Sequence, residues 1–127
     1  RLLKLIAIIM ISVEVVSEEK NWSKKIKKKK FFFNSICKAF PKKYQFINKK
    51  IFITLLLSNN KSIKKLNQKF RKKNKPTDIL SFPFKKNLKI KNKSYLGDII
   101  ISYNFINKPR NQEIILFKNK ITYIIFT

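Results

Sequence analysis

The chain has 127 residues, a length that suggests one domain with room for a modest core. Apolar residues make up 44% of it and aromatics 13%, which excludes a disordered basic tail, while a formal charge of +25 makes a polyanion the default partner. Cys37 stands alone, so no internal disulfide is possible, and without a histidine it lacks the usual base that would activate it.

Residues 5–13, LIAIIMISV, form an apolar run too short to span a bilayer, and no small-residue cleavage site follows it. Met10 is the single methionine of the chain. It is expected to be the natural start, with residues 1–9 upstream translation, residues 10–127 a single domain, and the protein cytoplasmic. A membrane-surface role for the apolar run is a third-choice reading.

Ile11 to Val16, ISVEVV, is short and β-branched and reads as a first strand. From Lys20 the period changes: Trp22, Ile26, Phe33, Ile36, Cys37 and Phe40 recur at helical spacing until Pro41 closes the segment. Cys37 falls in that pattern as a buried structural residue. The lysine run 27–30 is either the solvent side of this helix or a patch for phosphates. Lys50 to Ser58, KIFITLLLS, is continuously apolar and predicts a central strand.

Ser58, Asn59 and Asn60 are candidate caps for a second helix, whose apolar face is Ile63, Leu66 and Phe70 and whose outer face is lysine-rich. It runs into the basic turn Arg71 to Lys75. Pro76 ends anything helical, and Asp78 to Phe84 reads as a strand that Pro83 assigns to an edge. A basic loop over 85–94 precedes a strand from Tyr95 to Tyr103, bent at Gly97. The last stretch places Ile114, Phe117, Ile121, Ile124 and Ile125 on one helical face and reaches the final residue uncapped. The order β-α-β-α-β-β-α predicts an α+β fold, a mixed sheet of about four strands packed with helices.

A strong lysine bias makes the uncommon residues informative. The aspartates are Asp78 and Asp98, and the single glycine is Gly97. Arg71, Lys75, Thr77 and Ser81 offer a phosphate-facing set of a planar fork, a point charge and two hydroxyls. Phe82, Phe84 and Tyr95 offer stacking surfaces for unpaired bases. Structural roles compete with each: Asp78 as a turn cap, Gly97 as a bulge, Asp98 as a turn acceptor, the aromatics as core. The two aspartates could also form an acid/base pair.

The run LNQKFRKKNKPTDILSFPF, Leu66 to Phe84, and the later LGDIIIS, Leu96 to Ser102, resemble the two sequence blocks of the YbeY-type endoribonucleases. Asn74 departs from the family's usual aspartate. The resemblance implies a metal-dependent, single-strand-specific endoribonuclease (a hydrolase) in ribosomal-RNA maturation and ribosome quality control, with RNA and the ribosomal subunit as partners. It implies a catalytic role for Arg71 on a phosphate, with Ser81 and Thr77 shaping the pocket. Lys75, Asp78, Phe82 and Asp98 would bind substrate. It also implies zinc on three histidines in an H-x3-H-x5-H block after a helix like the last one here.

This sequence has no histidine, so the family's zinc ligands are expected beyond Thr127 and the chain is expected to be an incomplete, inactive domain. The alternative is a non-catalytic basic module that binds RNA or ribosomes through charge alone. Much of that charge could equally reflect an A+T-rich coding sequence that drifts exposed positions to lysine.

Overall fold

The structure is a computed structural model and describes residues 10–37, 50–83 and 93–126. In chain order it contains β1 (Met10–Ser17), α1 (Asn21–Lys25), α2 (Lys29–Cys37), β2 (Lys50–Ser58), α3 (Asn60–Arg71), β3 (Ile79–Pro83), β4 (Lys93–Ser102), α4 (Tyr103–Ile106) and α5 (Ile114–Phe126). The sheet order is β1-β2-β4-β3. β2 pairs in parallel with both β1 and β4, and β3 runs antiparallel to β4. The fold is therefore α+β on a mixed four-stranded sheet, with the apolar KIFITLLLS strand inside it and the proline-bearing strand at an edge.

β2 can be apolar without interruption because helices cover both of its faces. Leu55 and Leu57 point with Val13 and Ile101 into the larger core, beneath Trp22, Phe33, Ile36, Phe117 and Ile121 from α1, α2 and α5. Leu56, one residue out of phase, joins Leu80 and Ile100 against Ile63 and Leu66 of α3 on the other face. Trp22 is fully buried at the middle of the larger core. Its ring meets Tyr103 at 5.2 Å, Phe117 at 5.9 Å and Phe33 at 6.3 Å, all edge-to-face. Its indole N–H donates to the carbonyl of Ser58 at 2.9 Å, where β2 ends.

The single helix expected from Lys20 to Pro41 is two helices. At Ile26 the backbone is extended, with φ −125° and ψ 113°. A continuous helix would stack Lys24 and Lys25 over Lys28 and Lys29, a row of like charges four residues apart. The break relieves that row while Ile26 and Phe33 stay buried in the core, and Lys29 Nζ donates to Ser23 Oγ at 2.8 Å. Lys27, Lys28 and Lys30 are exposed around the break.

β4 begins two residues earlier than Tyr95, and Tyr103 starts the four-residue helix α4, which the strand pattern had absorbed. Gly97 has φ 138° and sits where the β2–β4 register slips by one residue past Leu96, so its freedom from a Cβ is used to seat a bulge. The expected upstream segment 1–9, the helix end at Phe40 and Pro41, Phe84 and most of the 85–94 loop lie outside the described residues.

Removing the indole donor while keeping an aromatic ring isolates the Trp22 to Ser58 bond. Trp22→Phe is expected to lower stability by about 1–3 kcal/mol, from a lost buried hydrogen bond and some lost ring volume. The check is a urea midpoint that falls with an unchanged slope.

Candidate nucleic-acid interface

Helix α3 starts where Asn59, in extended geometry, accepts a hydrogen bond from the Ser62 N–H at 2.9 Å. Its inner face buries Ile63 and Asn67, and its outer face exposes Lys61, Lys64, Lys65 and Lys69. Phe70 is 57% exposed yet lays its ring edge-on to Phe82 of β3 at 5.2 Å. The helix stops at Lys72, a left-handed residue with φ 59°. That turn swings the basic run back along the helix it has just left.

Asn67 holds the returning chain in place. Its Nδ2 donates to the carbonyl of Lys75 at 2.9 Å, and its own carbonyl accepts from the Lys73 N–H at 3.3 Å. Thr77 Oγ1 donates to Asp78 Oδ1 at 3.3 Å, and the Asp78 carbonyl accepts from the Ser102 N–H at 3.0 Å. The turn is thus tied to α3 at one end and to β4 at the other. Between these ties lies a cleft of about 440 Å³ walled by Arg71, Lys73, Lys75 and Thr77, with Asn67 and Pro76 behind them and Phe105 of α4 opposite. Three cations and a hydroxyl converge there, and Phe105 is 41% exposed at its side.

The residues singled out from sequence divide into groups. Arg71, Lys75 and Thr77 share this cleft, and Asp78 anchors its floor through backbone and side-chain bonds. Phe82 packs into the smaller core under Phe70. Ser81 is exposed on the other face of β3, in the phase of Ile79. Asp98 lies in a row across the whole sheet, Glu14 opposite Thr54, Thr54 opposite Asp98 and Asp98 opposite Phe82. The Tyr95 hydroxyl hydrogen-bonds to Asp98 and, at 3.0 Å, to Thr54. The bond to Asp98 is the main reason the Tyr95 hydroxyl titrates above its ordinary value.

Asp78 and Asp98 are not brought together: the Asp78 carbonyl meets Ser102, four residues along β4 from Asp98. Lys73, Asn67 and Phe105 were not anticipated. Lys73 was one lysine in a run of them, Asn67 sat among helix-surface residues, and Phe105 belongs to a helix too short to leave a periodic signal.

The residues present do not make up the zinc site that the resemblance implies. The sequence holds no histidine, and among the described residues no three His, Cys, Asp or Glu side chains cluster as metal ligands. Cys37 is buried, and burial pushes its thiol up to about 11, the reverse of what a thiolate ligand needs. Nor is any helix among the described residues long and apolar enough to cross a membrane.

On this mixed α+β sheet, the end of α3 and the turn after it gather three cationic side chains beside an exposed aromatic. The chain belongs to the endoribonuclease YbeY family, whose profile matches residues 14–126. A Pelagibacter ubique protein named endoribonuclease YbeY is 64% identical over 115 residues, covering 91% of this chain and 75% of that one. Proteins of the same name from Ehrlichia canis and from the Buchnera aphidicola of Acyrthosiphon pisum are 36% and 48% identical. They are matched over 74% and 68% of this chain, which spans 59% and 52% of their lengths. A solution structure from Thermotoga maritima is similar in fold, with a TM-score of 0.50 at 21% identity over 89% of this chain and 66% of that one.

A lysine with positive φ bears a steric cost that glycine does not. Lys72→Gly is expected to raise stability by about 1 kcal/mol, partly offset by the looser unfolded chain. Chemical denaturation checks it, and an unchanged or lower midpoint would contradict the left-handed turn.

Proposed function

We propose that this protein binds single-stranded RNA with one backbone phosphate in the Arg71 cleft, as part of an endoribonuclease that matures ribosomal RNA in the cytoplasm. The observation that supports this most directly is the convergence of Arg71, Lys73, Lys75 and Thr77 on one cleft. A phosphodiester offers only acceptors, and these four side chains offer donors and positive charge. Arg71 is the one planar fork among them, suited to two non-bridging oxygens at once, and it would oppose the negative charge that grows on a phosphate under attack. Phe105 offers a face on which a neighbouring base can stack, which favours an unpaired strand over a duplex.

Metal dependence is a family expectation for which the described residues bring no ligand set of their own together, so no step is assigned to zinc. Ser81 and Asp98, which face opposite sides of the sheet, are proposed as separate outer contacts of the RNA rather than members of one site. The ribosomal subunit is proposed as the particle on which the RNA is met.

The lysines on the outer face of α3 favour a second contribution, a charge-driven approach that needs no cleft. The two are separable by salt. Arg71→Ala is expected to weaken binding of a labelled single-stranded ribonucleotide about tenfold and to reduce the salt slope by roughly one phosphate contact. Lys64→Glu with Lys65→Glu is expected to weaken binding most at low salt and flatten the salt dependence, without affecting the Arg71 increment. Equal affinity of wild type and Arg71→Ala across the salt series would overturn the cleft assignment.

Catalysis is tested apart from binding. Purified protein of residues 1–127 with added zinc is expected to leave a single-stranded ribosomal-RNA fragment uncut over hours. Zinc-dependent cleavage that a chelator abolishes would show that these residues do assemble a metal centre.

A further inference from the structure

A second cleft, also about 440 Å³, opens on the other side of α4 and has a different chemistry from the first. Its walls are dominated by four carboxamides, Asn21, Asn60, Asn104 and Asn107, contributed by the segments that follow β1, β2 and β4. These strands are mutually parallel, so their carboxyl ends open together, which is where open sheets of this kind receive ligands. We propose that this cleft receives an unpaired nucleobase of the same RNA strand and discriminates among bases.

The amides are held in place but not used up. Ser102 Oγ donates to Asn60 Oδ1 at 2.6 Å, and the Asn60 N–H donates to Asn104 Oδ1 at 3.0 Å, which fixes both side chains and leaves their NH2 groups to the cleft. Asn107 Oδ1 is buried with no hydrogen-bond partner among the described residues. The Asn107 side chain also hydrogen-bonds to Tyr103, so it holds that wall of the cleft in place. Tyr103 forms one side, its ring locked edge-on against Trp22, and desolvation by burial holds its hydroxyl protonated beyond the ordinary range. Fixed carboxamides with both donors and acceptors match the mixed edge of a base; a phosphate has no use for the acceptors.

The two clefts meet at one contact. Lys108, which lines the second with Arg110, places its Nζ 5.6 Å from the ring of Phe105, which lines the first. Phe105 and Asn104 are adjacent on α4, so the helix is a partition one residue thick between phosphate donors and base readers. A strand crossing it would leave a phosphate beside Arg71, stack one base on Phe105, and drop the next into the amides. Lys108 and Arg110 would take the following phosphate. This subsite rests on the RNA reading above and extends it from affinity to base preference.

The test is fluorescence anisotropy of labelled hexaribonucleotides of adenylate, cytidylate and uridylate against the protein at one salt concentration. The expected result is a spread of about tenfold between the best and worst hexamer, the scale of a good carboxamide contact to a base. Asn21→Ala with Asn104→Ala is expected to bring the three within about twofold of one another. Asn104→Asp, which keeps the acceptor for the Asn60 N–H and so protects the fold, is expected to reorder them. Arg71→Ala should weaken all three by a common factor and leave their ranking intact.

Equal affinity of wild type for the three hexamers would overturn the base subsite while leaving the phosphate cleft standing. So would a ranking that survives both amide variants. Binding unaffected by Arg71→Ala but levelled by the amide variants would retain the subsite and remove the phosphate cleft. No binding of any hexamer would remove both.

Discussion

The hydrogen bond from the Trp22 indole to the Ser58 carbonyl determines where the central strand stops, and the sites are built from that stop. A carbonyl at the end of β2 would otherwise continue a ladder or face water. Here it is claimed by the largest fully buried side chain of the larger core. At the same residue, Ser58 Oγ donates to Glu18, and the Glu18 N–H donates to the Leu57 carbonyl at 3.0 Å, so the ends of β1 and β2 are fastened to each other. The chain then has one residue, Asn59, in which to leave the sheet and cap α3. Everything in the Arg71 cleft is measured from that departure: twelve helical residues carry the chain from Asn60 to Arg71. A shift of one residue at Ser58 would rotate α3 by about 100° and send Arg71 to a different face.

Trp22 could not do this alone. A tryptophan ring buries on the order of 200 Å², worth about 5 kcal/mol of apolar transfer, but that attraction has no direction. Direction comes from the edge-to-face contacts with Phe33, Tyr103 and Phe117, which draw α2, α4 and α5 to one point. Tyr103 is the useful member. Its ring belongs to this aromatic cluster, while the residues after it, Asn104 and Phe105, face two separate clefts. The core therefore fixes the partition between them directly, through a helix of four residues that could not hold itself in water.

Periodicity in the sequence recovered the four strands and the helices α3 and α5 because each carries its own signal. β2 is a closed apolar run, α3 has Ile63, Leu66 and Phe70 at helical spacing with Asn59 ahead of them, and Pro83 confines β3 to an edge. What escaped depends on contacts distant in sequence or on very short elements. The break at Ile26 leaves no mark in the pattern, because a helical period runs through it without a gap. The helix α4, four residues long, makes barely one turn and leaves no repeat to read. Arg71, Lys75 and Thr77 could be grouped because they are six residues apart in a turn, whereas Phe105 joins them from another element altogether. Ser81 and Asp98 were legible as unusual residues, but the sheet sets them on opposite faces, which strand phase could have told and adjacency in a motif concealed.

The surplus of positive charge is the hardest feature to interpret, and its placement matters more than its total. A uniform lysine coat attracts any polyanion and positions none. On this fold the coat is uneven in kind. Lys61, Lys64, Lys65 and Lys69 are exposed on the outer face of α3, the last with its Nζ 5.3 Å from the Phe70 ring. Around Lys72 the backbone bonds to Asn67 fold the turn back, so that Arg71, Lys73 and Lys75, all exposed, line one cleft. Lysine drift can produce the first arrangement at any exposed helix. It cannot produce the second, because the second needs a buried asparagine whose Nδ2 is spent on the carbonyl of Lys75. An asparagine 1% exposed inside a helix is unfavourable for the helix and for the core. Its presence is accounted for by the turn it holds, through the Lys75 carbonyl and the Lys73 N–H.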